Sequence, residues 1–115
     1  MSHPDRDGDY LRHILEAIDR IRKYTTGKNK DTFLSEPLLQ DAVIRNVEVI
    51  GEAANRLSPE FIAKHSTIPW RDIAGKRHRL IHGYMTVNLQ TVWNVVEREL
   101  PGLEKQVRSV LEIKK

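Results

Sequence analysis

The sequence predicts an all-α protein, an antiparallel bundle of four to five helices. Apolar residues recur at spacings of three and four over most of the chain, and no segment shows the alternation typical of a strand. Proline, glycine, serine and asparagine separate these periodic segments at positions typical of helix ends. The 115 residues are enough for one domain. We therefore expect a single helical domain over 1–115, with a flexible N-terminus over residues 1–8.

The first helix is predicted over Asp9 to Tyr24, where leucines and isoleucines form one amphipathic face. Gly27 follows, where a helix C-terminus often places a glycine. A polar connector leads to a short helical turn at Thr32 to Leu34, which we expect to bury both Phe33 and Leu34.

The longest helix is predicted over the run Leu38 to Leu57, with Pro37 at its start, where a missing N–H costs nothing. Its apolar stripe is broad enough to serve both the core and a second surface. The stripe consists of Leu38, Leu39, Ala42, Val43, Val47, Ile50, Ala53, Ala54 and Leu57.

Shorter segments follow toward the C-terminus. Ser58 is a predicted N-cap and starts a short helix ending near His65. Pro69 and Trp70 open the next helix, which Gly83 should end. We expect Trp70, like Trp93, to pack in the core.

Two more helices complete the predicted bundle. Asn88 caps a helix that contains Trp93. We expect Pro101 to interrupt this helix and a last one to continue from there.

The composition excludes several classes of protein. The chain has no cysteine, which excludes disulfide frameworks and thiolate metal sites. No segment approaches the roughly 20 apolar residues that span a bilayer, and the polar N-terminus has no signal-peptide pattern. We expect a cytoplasmic protein without membrane contact. The net charge of +3 is too small to indicate nucleic-acid binding by itself.

Basic and proton-transferring residues are concentrated in KRHRLIHGY, residues 76–84. His78 and His82 are spaced i, i+4, as two zinc ligands on a helix would be. A zinc site needs three or four ligands, and no glutamate lies between the two histidines. We therefore expect no metal site. A solvated helix face is the simplest alternative explanation of the charge.

The same residue types suit metal-independent cleavage of RNA. That reaction needs a proton acceptor, a proton donor and a cation facing the phosphate. His82 lies at the predicted helix C-terminus, where the dipole favours an imidazolium donor, and Arg77 offers a planar fork for phosphate. Arg77 and His82 are five positions apart, about 140° around an ideal helix. Two copies of the helix facing each other would assemble the set more easily, which favours a homodimer.

Arg77, His82 and Tyr84 match the R-x4-H-x-Y signature of HEPN ribonucleases. AVIRNVEVIGEAANRLSPE (42–60), IPWRDIAGKRHRLIHGY (68–84) and VWNVVERELPGLEKQV (92–107) resemble the HepT branch, the toxin of the HepT/MntA toxin–antitoxin family.

The resemblance implies a dimeric HEPN-like bundle whose motif helices line a shared cleft. It implies that Arg77 and His82 form the catalytic pair of a metal-independent endoribonuclease acting on tRNA or mRNA, without a cofactor. It also implies that an MntA-like nucleotidyltransferase antitoxin silences the toxin by transferring AMP to Tyr84.

Several neighbouring residues are weaker candidates for RNA contact or for support of the motif. His78 stands where many family members carry asparagine. Glu52, flanked by small residues, is a candidate partner for Arg77. The remaining candidates are Lys76, Arg79, Arg45 and Asn46. A different class also stays open: the chain as a non-catalytic binding subunit of a nucleotidyltransferase complex.

Overall fold

The computed structural model describes residues 4–74 and 88–114, and every regular element within these two ranges is helical. In chain order these elements are α1 (Pro4–Thr25), α2 (Lys30–Ser35), α3 (Pro37–Asn55), α4 (Pro59–Lys64), α5 (70–74, where the first range ends), α6 (Leu89–Asn94), a π-helical turn (Val95–Glu99) and α7 (Leu100–Lys114). The predicted all-α class is confirmed.

The two longest helices of the N-terminal half, α1 and α3, form the centre of the bundle and pack along each other. Helix α7 packs against α1, and the short α2 lies between α3 and α6. The buried faces repeat at helical spacing, as the sequence predicted. Their largest fully buried aliphatic members are Leu11, Ile14, Ile18, Ile21, Val43, Val92 and Val107.

Of the N-terminal segment 1–8, which we expected to be flexible, the structure describes residues 4–8, and residues 1–3 lie outside the described residues. Helix α1 begins at Pro4, so residues 4–8 are helical. The carboxylate of Asp7 accepts hydrogen bonds from the backbone N–H and the hydroxyl of Ser58, at 2.8 and 2.7 Å. This contact with the start of α4 gives the first turns of α1 a fixed partner.

The helix ends follow the predicted local chemistry. Gly27 has φ +75°, the left-handed conformation that favours glycine after a helix. Pro37 occupies the first turn of α3. The side chains of Ser58 and Asn88 accept hydrogen bonds from the N–H groups of Phe61 and Thr91, so both predicted N-caps are confirmed.

Two sequence expectations, those for Leu34 and Pro101, are wrong in detail. Phe33 is buried but Leu34 is exposed, because adjacent residues on a helix point about 100° apart and α2 buries one face. Leu38, the first residue of the predicted stripe, is 87% exposed because it lies beside, and not on, the buried face of α3 that contains Leu39 and Val43; the stripe was expected to serve a second surface as well as the core. Pro101 does not interrupt the helix but lies in the first turn of α7.

The π-helical turn before Pro101 explains why the helix continues through this proline. The N–H of Leu100 bonds to the carbonyl of Val95, five residues back. Such a turn changes the hydrogen-bond register immediately before the proline, which has no N–H and whose ring would crowd the α-helical carbonyl of Glu97. The helical path is therefore continuous from Leu89 to Lys114.

A buried carboxylate joins α7 to α1. Glu104 accepts two hydrogen bonds from the guanidinium of Arg108, at 3.0 and 3.1 Å, and one from Arg22 of α1. Burial raises the pKa of Glu104, but the two arginines outweigh burial and hold this pKa below its ordinary value. Arg108 also lies 3.7 Å from Asp19 of α1. These contacts tie the C-terminal helix to the N-terminal one.

Candidate functional site

The basic cluster predicted to carry the chemistry lies between the two described ranges. Its residues are Lys76, Arg77, His78, Arg79, His82 and Tyr84, and all six lie outside the described residues. Their roles therefore stay predictions. What the structure defines is the junction from which the chain enters this segment, and the positions of Arg45, Asn46 and Glu52.

The junction between α4 and α5 is built around Trp70. The indole N–H of Trp70 donates to the carbonyl of His65 at 3.1 Å, and its ring lies 5.6 Å from that of Phe61. The Trp70 backbone N–H donates to the carbonyl of Ile68 at 2.8 Å. Trp70 is 2% exposed, which confirms the expected packing role. Trp93 is also buried and lies against Phe33 of α2.

Glu52 and Arg45 lie in a groove between α1 and α3 that has a volume of about 420 Å³ and carries several charged side chains. Glu52 pairs with Arg56 at 3.0 Å, one helical turn along α3. The Glu52 carboxylate, and after it the Tyr10 hydroxyl, raise the pKa of Arg56. Arg45 lies 3.9 Å from Glu48 and is largely exposed. The two candidates thus lie on one face of α3, as their spacing of seven residues requires.

This groove is of mixed charge. Two arginines and two glutamates from α3 and its C-cap residue Arg56 line it together with Tyr10 and His13 of α1. Among the described lining residues the arginines and glutamates are equal in number, so these side chains alone give no net charge to attract an RNA strand. The i, i+4 pair of Glu52 and Arg56 was readable in the sequence. The contribution of Tyr10 to the pKa of Arg56 could not be predicted from the sequence, because it depends on how α1 packs on α3.

Asn46, another candidate on α3, is buried. Its side chain lies between α1 and α3. Its amide donates to the carbonyl of Ala42 at 2.9 Å, and its oxygen accepts from Arg20 at 2.8 Å. These bonds satisfy a buried polar side chain in the core, so Asn46 helps to hold α1 and α3 together.

A second, more apolar cavity of about 530 Å³ adjoins the start of α5. Its walls come from α3, α5 and the region where the π-helical turn meets α7. The apolar lining residues are Val47, Ile50, Pro69, Ile73, Val95, Leu100 and Leu103. Asp72 and Glu99 contribute carboxylates to its edge.

Metal ligation and membrane insertion have no candidate elements in the described ranges. Residues 4–74 and 88–114 contain no group of three or more histidine, aspartate and glutamate side chains placed to hold a metal ion. Over the same part of the chain, no helix is long and apolar enough to cross a bilayer.

The structure defines an all-α bundle in which a tryptophan-centred junction leads into a segment rich in arginine and histidine. The chain matches the family described as ribonuclease HepT-like over residues 14–110, which includes the whole basic segment. It therefore belongs to the HepT-like ribonuclease family, and its helical architecture agrees with the HEPN fold that the sequence resemblance implied.

Individual relatives agree with this assignment. A putative RNase of Caldanaerobacter subterraneus subsp. tengcongensis is 42% identical over 106 residues, which are 92% of this chain and 95% of that protein. A probable ribonuclease HepT of Thermococcus cleftensis is 40% identical over 84% of this chain and 87% of its own length.

A longer relative extends the comparison. A gamma-glutamylcyclotransferase and putative RNase of Methanocaldococcus jannaschii is 44% identical over 90% of this chain, but the match covers 46% of that protein. No solved structure gives a significant match to the chain.

Proposed function

We propose that the chain is an endoribonuclease toxin that cleaves RNA without a metal ion, with Arg77 and His82 as its catalytic pair. One observation carries the proposal: the R-x4-H-x-Y signature occurs in a chain that belongs, over residues 14–110, to the HepT-like ribonuclease family. The relatives named as putative RNases support the same activity.

The chemistry assigns a role to each member of the pair. The 2′-hydroxyl of the RNA gives its proton to a water molecule and attacks the adjacent phosphorus, while the bond from phosphorus to the 5′-oxygen breaks. His82, as imidazolium, donates a proton to the departing 5′-oxygen. Arg77 binds the phosphate oxygens and stabilises the charge that develops on them. The products are a 2′,3′-cyclic phosphate and a 5′-hydroxyl.

The site is proposed to form in a homodimer. On one ideal helix Arg77 and His82 point about 140° apart, so a single copy does not aim both at one phosphate. A twofold axis places Arg77 of one protomer opposite His82 of the other and resolves the conflict. Residues 1–115 act as one domain in this arrangement.

Tyr84 is the proposed site of control by a cognate MntA-like nucleotidyltransferase. Its phenolic oxygen attacks the α-phosphorus of ATP, a proton leaves the phenol, and pyrophosphate departs. The attached AMP brings bulk and negative charge beside Arg77 and His82, and so competes with RNA for the phosphate site.

The remaining basic residues of the cluster, Lys76, His78 and Arg79, are proposed to contact RNA phosphates. In the α1–α3 groove, Glu52 stays the proposed partner of Arg77. Arg45 is a weaker candidate for RNA contact, because Glu48 of the same helix lies 3.9 Å away.

Cleavage in EDTA tests the proposal. The chain is purified after expression without any partner, its mass is measured to establish that Tyr84 is unmodified, and it is incubated with total cellular RNA. We expect the parent chain to cleave, and Arg77→Ala and His82→Ala to lose about 100-fold or more of that activity. An unmodified, dimeric and inactive parent chain would contradict the proposal and favour the binding-subunit alternative.

A further inference from the structure

We propose that Trp70 is a positioning residue for this reaction: its contacts with α4 set the direction of α5, the helix from which the chain enters the segment that contains Arg77 and His82. The inference rests on the proposed ribonuclease function, and it adds to it a residue outside the signature. It is carried by the hydrogen bonds and ring contacts of the α4–α5 junction, all of which lie in the described residues.

Three hydrogen bonds hold the α4–α5 junction together, and the Trp70 indole donates one of them. The carbonyl of His65 accepts both the indole N–H of Trp70, at 3.1 Å, and the backbone N–H of Ile68, at 3.2 Å. The Ile68 carbonyl in turn accepts the backbone N–H of Trp70 at 2.8 Å. The Trp70 side chain therefore joins His65, the residue after α4, to the first residue of α5. Because this side chain is buried, water does not compete for these bonds.

Helix α4 is itself fixed to the N-terminal helix. Asp7 of α1 accepts both the N–H and the hydroxyl of Ser58, and the Ser58 oxygen caps the N–H of Phe61 at 3.1 Å. Phe61 is buried and packs against both His65 and Trp70. A continuous series of contacts thus runs from α1 through α4 to the start of α5.

A small change of direction at Trp70 is expected to displace the motif residues that follow it in the sequence. Arg77 follows seven residues later and His82 twelve residues later. In the helix that the sequence predicts here, these are rises of about 10 and 18 Å. A tilt of roughly 5° at the junction then moves these residues by about 1 Å or more, and a displacement of about 1 Å costs on the order of 100-fold in rate.

The test compares Trp70→Phe with the matched variant Trp93→Phe. Phenylalanine keeps an aromatic ring at position 70 but removes the N–H that reaches His65. Trp93 is also buried, but it packs on Phe33 of α2. Both variants are assayed on a labelled RNA in EDTA, below the lower of their two melting temperatures, with rate constant and KM measured separately.

We expect Trp70→Phe to lower the cleavage rate constant by about 10- to 100-fold with KM unchanged, because RNA still binds while the catalytic groups are misplaced. The cleavage rate constant of Trp93→Phe should stay within about threefold of that of the parent chain, even if its melting temperature falls as far as that of Trp70→Phe. Equal losses in the two variants, or a Trp70→Phe rate equal to the parent, would overturn the positioning role.

Asp7→Asn provides a second test that leaves Trp70 unchanged, and it decides the matter if circular dichroism shows Trp70→Phe to be unfolded. It weakens the attachment of α4 to α1, so the rate constant should fall with KM unchanged. A folded Asp7→Asn variant with the parent rate would overturn the inference. An unmodified parent chain that does not cleave would overturn the proposed function as well, and the parent reaction separates the two failures.

Discussion

The buried carboxylate of Glu104 allows a stability prediction whose size can be worked from the structure. Its side chain is 11% exposed and holds Arg22 of α1 and Arg108 of α7. Glu104→Gln keeps the shape but removes the charge. Hydrogen bonds to a charged group contribute about 1.5–3 kcal/mol each.

The net loss is smaller than the sum of these bonds. Both arginines are about half-exposed, at 54% and 53%, and water therefore replaces part of what they lose. The variant also no longer carries the cost of burying a carboxylate. We expect a loss of about 2 kcal/mol at pH 7. Since a 115-residue domain has an unfolding entropy near 0.24 kcal/mol/K, the melting temperature should fall by about 8 °C.

The effect should depend on pH with a definite sign. The pKa of Glu104 is lower in the folded than in the unfolded chain, so its stabilisation is complete above the ordinary value of 4.5 and is lost as the pH falls through the folded pKa. The difference between parent and variant, measured by urea unfolding, should therefore be largest near pH 7 and shrink below pH 4.5.

Glu112→Gln on the same helix is the matched control. Glu112 is exposed, so the change should cost no more than about 0.5 kcal/mol. A Glu104→Gln chain as stable as this control at pH 7, or a difference that grows toward acid, would refute the reasoning.

Three further predictions concern the core and the motif. Phe33→Ala should cost about 3–5 kcal/mol in urea unfolding, whereas Leu34→Ala should cost about 0.5 kcal/mol or less, because α2 buries the first side chain and exposes the second. His78→Asn should keep cleavage in EDTA; a loss of about 100-fold would instead make His78 a required proton-transfer group. Tyr84→Phe should still cleave RNA but gain no AMP mass on incubation with the nucleotidyltransferase and ATP, and AMP on the variant would assign the modification to another residue.

Helix starts could be predicted from the sequence wherever one or two residues determine the local structure. Ser58 and Asn88 cap helices through their own side chains, and Pro37 starts a helix because it lacks an N–H. Leu34 and Pro101 were misjudged for a different reason: the face that α2 buries depends on its neighbours, and the π-helical turn before Pro101 has no marker in the local sequence.

In the candidate site, too, sequence spacing could be predicted, whereas contacts that depend on packing could not. The spacing of Arg77, His82 and Tyr84 is a property of the sequence and identifies the family's signature. Trp70 was expected only to pack, because its hydrogen bond to the His65 carbonyl depends on how the turn between α4 and α5 closes. Asn46 appeared as a cleft candidate because no sequence pattern shows that Arg20 lies across the α1–α3 interface.

The chemistry of the cleaved ends tests the central claim most directly. An RNA oligonucleotide that the chain cuts is incubated with the unmodified protein in EDTA, beside the same oligonucleotide carrying 2′-O-methyl groups, and the products are identified by mass. The account predicts a 2′,3′-cyclic phosphate and a 5′-hydroxyl from the first oligonucleotide and no cleavage of the second. Cleavage that requires a divalent metal ion, or that proceeds without a free 2′-hydroxyl, would contradict it.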